Sequence, residues 1–439
     1  MLKKLFIMLF VGFIASLGCK ETEVPPTPPP PPEPTCDDTK LPIVFAHGFL
    51  GSGDTYTNPF LLFTSNGYCG DRIFAYDWNS LDNALNQDSL LDLFVDRVLA
   101  ETSASQINLA GHSAGGSLGY SYLSDVNRAA KVANYVHIGS GPQAQPAGPS
   151  GEVPTLNIWS NGDMVVAGAD IPGATNLELN GLDHYEVATI IQSFVAMYEF
   201  FNNGESPATQ VIEEDDDVTV SGKVLTFGEN QPNVGATINI YQLNPETGQR
   251  LNEKPDGVLD ADADGNWGPF TVVPEAPYEF LVEGVNVDDR PVIYYREGFL
   301  KSNKLVYLRT LPSPGSIAGL LVAALPQDDN QTALAVFSSS QAVIADRDAL
   351  FVDGVDLAIP EFASADQTTI AYFLYDDDGD GQTSGNAITL FTLSPFIAGV
   401  DLFIPTAPPA SVEIEFNGRK MYVRNWRSET DGVVVAVFD

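Results

Sequence analysis

The chain has 439 residues, 44% of them hydrophobic, so it is long enough and apolar enough for two or three globular domains. Its formal net charge of −37 at pH 7 would repel a phosphate backbone, which excludes nucleic acid as an expected partner. The acidic surface indicates solubility, for instance in a salty medium, and a specific cation-binding role is the alternative interpretation.

The first 19 residues have the features of a targeting signal. Lys3 and Lys4 precede an apolar run, and residues 15–19 read Ala-Ser-Leu-Gly-Cys. This resembles the lipobox of bacterial lipoproteins, with its leucine one position late, and implies cleavage before Cys19 and lipidation of its sulfur. No aspartate follows Cys19, which resembles export to the outer membrane or cell surface. We expect an extracytoplasmic protein anchored to a membrane; a plain secretory signal or an uncleaved anchor is the alternative.

Residues 20–39 form a Pro-rich linker that would hold the following domain away from the membrane. With Cys19 lipidated, the two remaining cysteines are Cys36 and Cys69, and each precedes a predicted parallel strand. Neighbouring strands would bring their starts together, so a disulfide fits this arrangement in an oxidising compartment. Two unpaired thiols are the alternative.

Residues 40–204 alternate between short apolar runs and segments with helical spacing of apolar residues. This alternation predicts a mostly parallel sheet with helices on both faces. The predicted strands are 41–46, 72–76, 106–110, 132–138, 155–159 and 176–179, and the predicted helices are 59–66, 84–101, a helix starting within 116–122, and 185–202.

After an acidic linker at 205–217, the sequence changes to short β-runs between Gly, Pro, Asn and Asp turns. We expect an all-β region of one or two β-sandwiches, divided into domains at 218–290 and 291–439, the second of which is a candidate for lipid binding. The apolar run 317–325 is too short to cross a bilayer, and a buried strand is expected there, with a lipid-contacting surface as the alternative. The β-runs include 218–225, 237–243, 270–273, 278–282, 370–375, 388–393 and 433–438.

The sequence Gly-His-Ser-Ala-Gly at 111–115 lies between a predicted strand and a predicted helix, which is the context of a nucleophile elbow. The flanking glycines allow Ser113 to occupy a strained turn in which a β-carbon at either neighbour would clash. The turn would raise the Ser113 hydroxyl above the sheet edge. It would also aim the backbone N–H of Ala114 at a developing oxyanion.

A serine nucleophile needs a base, and the chain has only four histidines. His184 alone opens a helix after the last predicted strand, where this kind of sheet places its base. His47 lies in a loop after the first strand, His112 occupies the elbow and is expected to point away from the hydroxyl, and His137 lies within a strand. We predict His184 as the base, with helix capping as the alternative.

The acid that orients the base should follow a strand between the serine and the histidine. Asp163 meets this condition because it lies in a turn directly after the predicted strand 155–159. Asp170 and Asp183 are the alternatives, but Asp183 is adjacent to His184 and badly placed to reach its Nδ1.

The sequence His-Gly-Phe-Leu-Gly at 47–51 is the candidate for the other half of an oxyanion hole. The backbone N–H of Phe49 would face the carbonyl oxygen together with that of Ala114, and the Phe49 side chain would line the acyl side. The only inserts long enough for a lid follow Gly48 or span 139–154, so we expect a fairly open active site.

These motifs resemble the small bacterial lipases of the α/β-hydrolase family, which share the chain order Ser, Asp, His. A closer likeness is to archaeal two-domain lipases, in which a small hydrolase domain precedes a C-terminal β region implicated in lipid binding. The resemblance covers about 41–310, more weakly beyond, and implies an α/β-hydrolase fold and hydrolysis of lipid-like carboxylic esters. The matching segments are 44–48, 111–115, 158–165, 183–184, 264–270, 277–280 and 295–300.

The first hypothesis is therefore a lipid-anchored serine ester hydrolase, a lipase or esterase, with the triad Ser113, Asp163 and His184. It would act through an acyl-enzyme on an ester or lipid substrate and need no cofactor. A polyester depolymerase is the alternative enzyme, because an open site and appended β-sandwiches suit a solid polymer. A non-catalytic surface-binding lipoprotein is the alternative of another class, and the intact triad and oxyanion motifs weigh against it.

Two acidic stretches partly match calcium-binding loops. Asp376, Asp378 and Asp380 begin a D-x-D-x-D-G sequence, but its twelfth position is Ala387 instead of the bidentate glutamate. Residues 260–265 also alternate aspartate with small residues. We predict hairpin turns at both places, with calcium binding as the alternative.

Overall fold

The computed structural model of the protein describes residues 36–214, 217–285, 289–392 and 396–439. The candidate lipidation site Cys19 and most of the Pro-rich linker lie outside these ranges, so the lipid anchor remains a prediction. The described chain consists of an α/β half followed by an all-β half. No helix in these ranges is long and apolar enough to cross a membrane.

A six-stranded, fully parallel sheet forms the centre of the α/β half, as the apolar runs predict. The strands are β1 Ile43–Ala46, β2 Ile73–Tyr76, β3 Ile107–His112, β4 Val132–Ile138, β5 Thr155–Ser160 and β6 Thr175–Leu179. Their order in the sheet is β2-β1-β3-β4-β5-β6. Because parallel strands all end at the same edge, the loops after β1, β3, β5 and β6 converge there.

Helices cover both faces of this sheet. Ile43 and Phe45 of β1 point to one face of the sheet, into a core that includes the first and the last helix of this half. Val44 points to the other face, into a core that includes the second and the third helix. The predicted helix 185–202 is divided in two because Ile190 has an extended backbone. The helices are α1 Thr57–Ser65, α2 Gln87–Thr102, α3 Ala114–Leu123, α4 Val126–Ala129, α5 Glu186–Thr189 and α6 Ile191–Phe201.

Within the described residues, the all-β half contains three sheets and one short α-helix, α7 Ile317–Val322. Its first strands are β7 Thr219–Thr226, β8 Thr237–Gln242, β9 Gly257–Asp260, β10 Asn266–Thr271, β11 Tyr278–Glu283, β12 Val292–Arg296 and β13 Leu308–Thr310. The remaining strands are β14 Leu334–Ser338, β15 Leu350–Val352, β16 Val355–Asp356, β17 Ala371–Tyr375, β18 Ile397–Asp401, β19 Ser411–Phe416, β20 Arg419–Arg424 and β21 Val433–Phe438.

The largest sheet has eight strands in the order β18-β17-β14-β21-β12-β11-β8-β9 and packs against the two smaller ones. On one face, Ile293 and Tyr295 of β12 join a core with the four-stranded sheet β16-β15-β19-β20. On the other face, Val292 and Tyr294 join a core with the three-stranded sheet β10-β7-β13. The prediction of sandwich packing is therefore confirmed, with one sheet shared by both sandwiches.

The second face of the eight-stranded sheet also reaches the α/β half. Phe373 of β17 lies on this face, the same face as Tyr294. Across the neighbouring strands, Phe373 is paired with Ala335, Ala335 with Val435, and Val435 with Tyr294. Phe373 belongs to a core against which Leu50, from the loop after β1, packs. The two halves therefore share apolar contacts next to the convergent loops.

Three expectations for the all-β half are wrong. The boundary at 290/291 does not separate two domains, because β11 and β12 pair along their whole length within one sheet. The run 317–325 does not form a buried strand but contains α7, on which Ile317 and Leu320 are 58% and 60% exposed. The β-run 388–393 is replaced within the described residues by a short 3₁₀ helix at Thr389–Phe391.

Cys36 and Cys69 form a disulfide. The bridge joins the segments that lead into β1 and β2, which are paired neighbours with Ile43 opposite Ile73. The bridge closes a loop of the chain, because the two cysteines are 33 residues apart in the sequence. In the chain-entropy account, a loop of this length stabilises the fold by restricting the unfolded state.

Replacing both cysteines, Cys36→Ser with Cys69→Ser, should lower the free energy of unfolding by about 2–4 kcal/mol. Chemical denaturation of the wild type with and without reductant measures this change, and the double variant serves as the control that reductant should leave unaltered. Identical unfolding curves for oxidised and reduced wild type would show that the bridge does not stabilise the fold.

Candidate active site

Ser113 lies in a sharp turn between β3 and α3, with φ 54° and ψ −120°. A β-carbon on Gly111 would lie 2.3 Å from the carbonyl oxygen of Gly115, and one on Gly115 would lie 2.2 Å from that of Ala46. Both glycines are therefore needed for α3 to start this close to β1 and β3. The strand, turn and helix match the predicted elbow, and the strained φ belongs to the serine itself.

The Ser113 side chain meets the two residues expected to activate it. The Nε2 atom of His184 lies 2.9 Å from Ser113 Oγ, and Nδ1 of His184 lies 2.7 Å from Asp163 Oδ2. His184 and Asp163 are both buried. A carboxylate on Nδ1 keeps that nitrogen protonated, so Nε2 presents its lone pair to the hydroxyl.

The loop after β5 holds the Asp163 carboxylate in place. Its Oδ1 accepts the backbone N–H groups of Val165 and Val166, both at 2.9 Å, which leaves Oδ2 for His184. The alternative acids have other partners among the described residues. Asp170 accepts the indole N–H of Trp159. Asp183 accepts the backbone N–H groups of the two residues that follow His184.

Two backbone N–H groups beside Ser113 are free to bind an oxyanion. Ala114 is the first residue of α3, so its N–H has no partner within the helix. Within the described ranges, no backbone or side-chain atom accepts the N–H of Phe49 or of Ala114. A β-carbon on Gly48 would lie 3.1 Å from that of Ser113, which places the Phe49 peptide next to the nucleophile.

His112 has a role that sequence reasoning did not identify. Its ring does not bond the Ser113 hydroxyl; instead its Nε2–H donates to the backbone carbonyl of His184 at 2.8 Å, and the two rings are 4.8 Å apart. Burial, and then the neighbouring His184, lower the pKa of His112 to about 3. The elbow residue is therefore a neutral donor that holds the His184 backbone.

His137 takes no part in the triad. It lies in β4, where Nε2 donates to the carbonyl of Gly141 at 2.9 Å and Nδ1 lies 3.1 Å from the Tyr135 hydroxyl. Burial lowers its pKa to about 4. His137 lies within a strand, as predicted, and is fully buried in the α/β half.

The all-β half forms one wall of the pocket in front of Ser113, which corrects the expectation of a fairly open site. The Phe396 ring stacks against His184, with centroids 5.9 Å apart and planes inclined by 17°. The space left at the site is about 50 Å³. The wall is almost entirely apolar and consists of Phe227, Arg309, Phe337, Ile370, Ala371, Phe396 and Ile397.

The all-β half also forms hydrogen bonds with the loop that carries His184. Asp183 Oδ2 accepts a guanidinium N–H of Arg347 at 3.0 Å and the backbone N–H of Ala342 at 3.2 Å. The Thr189 hydroxyl donates to the carbonyl of Ser340. His184 is therefore held by partners distant in the sequence.

Arg309 of the same wall, from β13, donates to Ser52 Oγ at 3.2 Å and forms a buried ion pair with Asp54. These contacts fix the segment that follows the 47–51 loop. No local motif marks the contacts of Arg309 and Arg347 with the α/β half, because their partners there lie more than a hundred residues away in the chain.

The carboxylates of Asp376, Asp378 and Asp380 have oxygens within 4.8 Å of one another and could hold a cation. The loop is not a hairpin, because β17 and β18 on either side of it run parallel. The turn at 260–265 is not a hairpin either, because β9 and β10 belong to different sheets. In that turn, Asp262 accepts backbone N–H groups of Asp264 and Asn266.

Comparison with known proteins gives a family match for the all-β half. Residues 216–312 match the family model described as the lipase C-terminal domain, and residues 322–439 match a second model described as a C-terminal domain. With its parallel sheet and elbow, the chain therefore has a lipase- or esterase-like α/β-hydrolase fold followed by a C-terminal β region.

Several solved structures are similar to the chain. The mature lipase BlEst2 of Bacillus licheniformis is 15% identical, with 39% of this chain and 96% of that one covered and a TM-score of 0.31. Carboxylesterase CesB of Bacillus subtilis is 13% identical, with 39% and 87% covered and a TM-score of 0.30. Aspergillus fumigatus lipase B is 12% identical, with 39% and 54% covered and a TM-score of 0.32.

Gly115→Ala should lower the free energy of unfolding by about 1–3 kcal/mol, because the added methyl group would meet two backbone carbonyls. Gly141→Ala is the matched control, since a β-carbon there has no atom within 4 Å. Equilibrium denaturation of both variants measures the difference. Equal stability of the two would contradict the close packing of the elbow.

Proposed function

We propose that this protein is a serine hydrolase of carboxylic esters that acts through an acyl-enzyme. The observation that carries the proposal is the hydrogen-bond chain from Ser113 through His184 to the buried Asp163, at 2.9 and 2.7 Å. Such a chain converts a weakly nucleophilic hydroxyl into an effective one. The free N–H groups of Phe49 and Ala114 add a site for the negative charge that the attack creates.

In the first step, Ser113 Oγ attacks the ester carbonyl carbon while His184 Nε2 takes the hydroxyl proton. Asp163 stabilises the imidazolium, and the N–H groups of Phe49 and Ala114 bind the tetrahedral oxyanion. His184 then gives the proton to the leaving alkoxide, and the alcohol departs. Water, deprotonated by His184, attacks the acyl-enzyme, and collapse of the second tetrahedral species releases the acid and regenerates Ser113.

The apolar wall supports a lipid-like acyl group as the substrate. Phe227, Phe337 and Phe396 line the pocket with Ile370 and Ile397, and no carboxylate is among its lining residues. An acyl chain placed against these side chains would leave water, which favours binding in proportion to the apolar area buried. The match of 216–312 to a lipase C-terminal domain agrees with this substrate class.

The proposed location is outside the cytoplasm, on a membrane to which lipidated Cys19 anchors the protein. The lipobox-like sequence at 15–19 supports the anchor. The disulfide between Cys36 and Cys69 supports an oxidising compartment, since such bridges are rare in the cytosol.

The two alternative functions have less support. A polyester depolymerase would need an open site, whereas the wall that includes Phe396 covers one side of the pocket that Ser113 and His184 line. A non-catalytic binding lipoprotein would not require the bonds between Ser113, His184 and Asp163. Ester hydrolysis uses all of these features together.

Nitrophenyl esters from acetate to stearate test the proposal. The wild type should hydrolyse them, and Ser113→Ala should reduce kcat by at least about 10³-fold because the nucleophile is absent. Asp163→Asn should reduce kcat by about 10⁴-fold through loss of the reactive His184 tautomer.

Asp170→Asn is the matched control and should keep wild-type kcat, because among the described residues Asp170 bonds only the indole N–H of Trp159. Full activity in Ser113→Ala would refute the assignment of the nucleophile. A wild type that is inactive on every ester would refute ester hydrolysis.

A further inference from the structure

The Phe49 N–H and the Gly48 carbonyl belong to one planar peptide group, so whatever orients the carbonyl also orients the N–H. Within the described part of the chain, this carbonyl accepts from two donors. His47 Nδ1 lies 2.8 Å from it, and the Gly51 N–H donates to it at 3.2 Å. The direction of the candidate oxyanion donor is therefore set through the bond that His47 makes.

The bond between His47 and Gly48 determines the tautomer of His47. A carbonyl oxygen only accepts, so Nδ1 must carry the proton, and Nε2 of the neutral ring then has a lone pair. His47 is fully buried, and burial lowers its pKa, with the nearby Asp77 acting in the opposite direction. The ring also stacks on Trp78, whose indole N–H donates to the His47 carbonyl at 2.9 Å.

The partner of His47 Nε2 is Asn230, in the turn that follows β7 of the all-β half. Asn230 Nδ2 lies 3.2 Å from His47 Nε2, 2.9 Å from the Gly51 carbonyl and 3.1 Å from the Trp78 carbonyl. The two carbonyls identify Nδ2 as the donating end of the amide. An N–H on His47 Nε2 would face this donor, so Asn230 disfavours both the other tautomer and the imidazolium.

We propose that Asn230 is a positioning residue for the oxyanion hole, which holds His47 in its Nδ1–H form and thereby orients the Gly48–Phe49 peptide toward the substrate oxygen. The proposal rests on the ester hydrolase function above. Asn230 contacts no reacting atom; its effect passes through His47.

The role of the Asn230 amide can be tested with a substitution of nearly the same shape, Asn230→Asp. Its Oδ1 is buried and has no hydrogen-bond partner among the described residues, so its polar contacts are made through Nδ2. Asn230→Asp keeps the shape and replaces these donors with an acceptor for His47 Nε2–H. Asn230→Ala removes the group altogether. Gln231→Ala, an exposed position in the same turn, is the matched control.

Both Asn230 variants should lower kcat on a short-chain nitrophenyl ester by about 10- to 100-fold, somewhat less than removal of an oxyanion donor itself. KM should change by less than about twofold, because the substrate's ground state does not use this donor fully. An alkylboronic acid, which mimics the tetrahedral state, should bind more weakly by the same factor as kcat/KM falls. Gln231→Ala should leave all three quantities unchanged.

Nitrogen-15 NMR of the wild type gives a readout that a merely structural role would not produce, and the chain has only four histidines to assign. His47 should carry its proton on Nδ1 in the wild type and on Nε2 in Asn230→Asp. An Nε2–H tautomer in the wild type would overturn the proposal even if the variants failed to fold. Unchanged kcat in folded Asn230→Ala, or reduced kcat with unchanged boronate affinity, would also overturn it.

The proposed function and this inference fail in different ways. A wild type that hydrolyses no ester would refute the proposed function, while the NMR measurement would still decide the hydrogen-bond chain from Asn230 to Gly48. An active wild type with the wrong His47 tautomer would retain the function and refute the role of Asn230.

Discussion

The close approach of α3 to β1 and β3 is the constraint on which the site depends. It requires no side chain at Gly111 and Gly115, and it forces Ser113 into a backbone conformation with φ 54°. A conformation of this kind costs about 1–3 kcal/mol and persists only where the surrounding packing determines it. The buried parallel sheet provides that packing, and the strain places the Ser113 hydroxyl at the edge where the other loops converge.

The all-β half completes this site instead of lying beside it. Phe396 stacks on His184, Arg347 holds the loop of His184 through Asp183, and Asn230 bonds His47 in the loop that carries Phe49. Buried polar contacts of this kind have defined directions, which suits them to fixing loops that apolar packing alone would leave adjustable. The geometry of the candidate active site therefore depends on how the two halves associate.

The α/β half and the triad could be predicted from the sequence because their determinants are local. A glycine pair around Ser113, a strand before Asp163 and a small number of histidines restrict the choices strongly. The contacts between the two halves could not be predicted in the same way. Asn230 and His47, for example, are 183 residues apart, and no local pattern encodes their contact. The helix within 317–325 does have a local marker in the sequence, because Ser316 caps α7 by accepting the Gly319 N–H.

A covalent label on the nucleophile tests the central claim most directly. A nitrophenyl alkylphosphonate should react with the wild type and add one phosphonyl group, which intact-protein mass spectrometry and peptide mapping should locate on Ser113. His184 activates the hydroxyl for this attack as it would for an ester. Ser113→Ala should remain unlabelled. A wild type that stays unmodified, or that carries the label on another residue, would contradict the account.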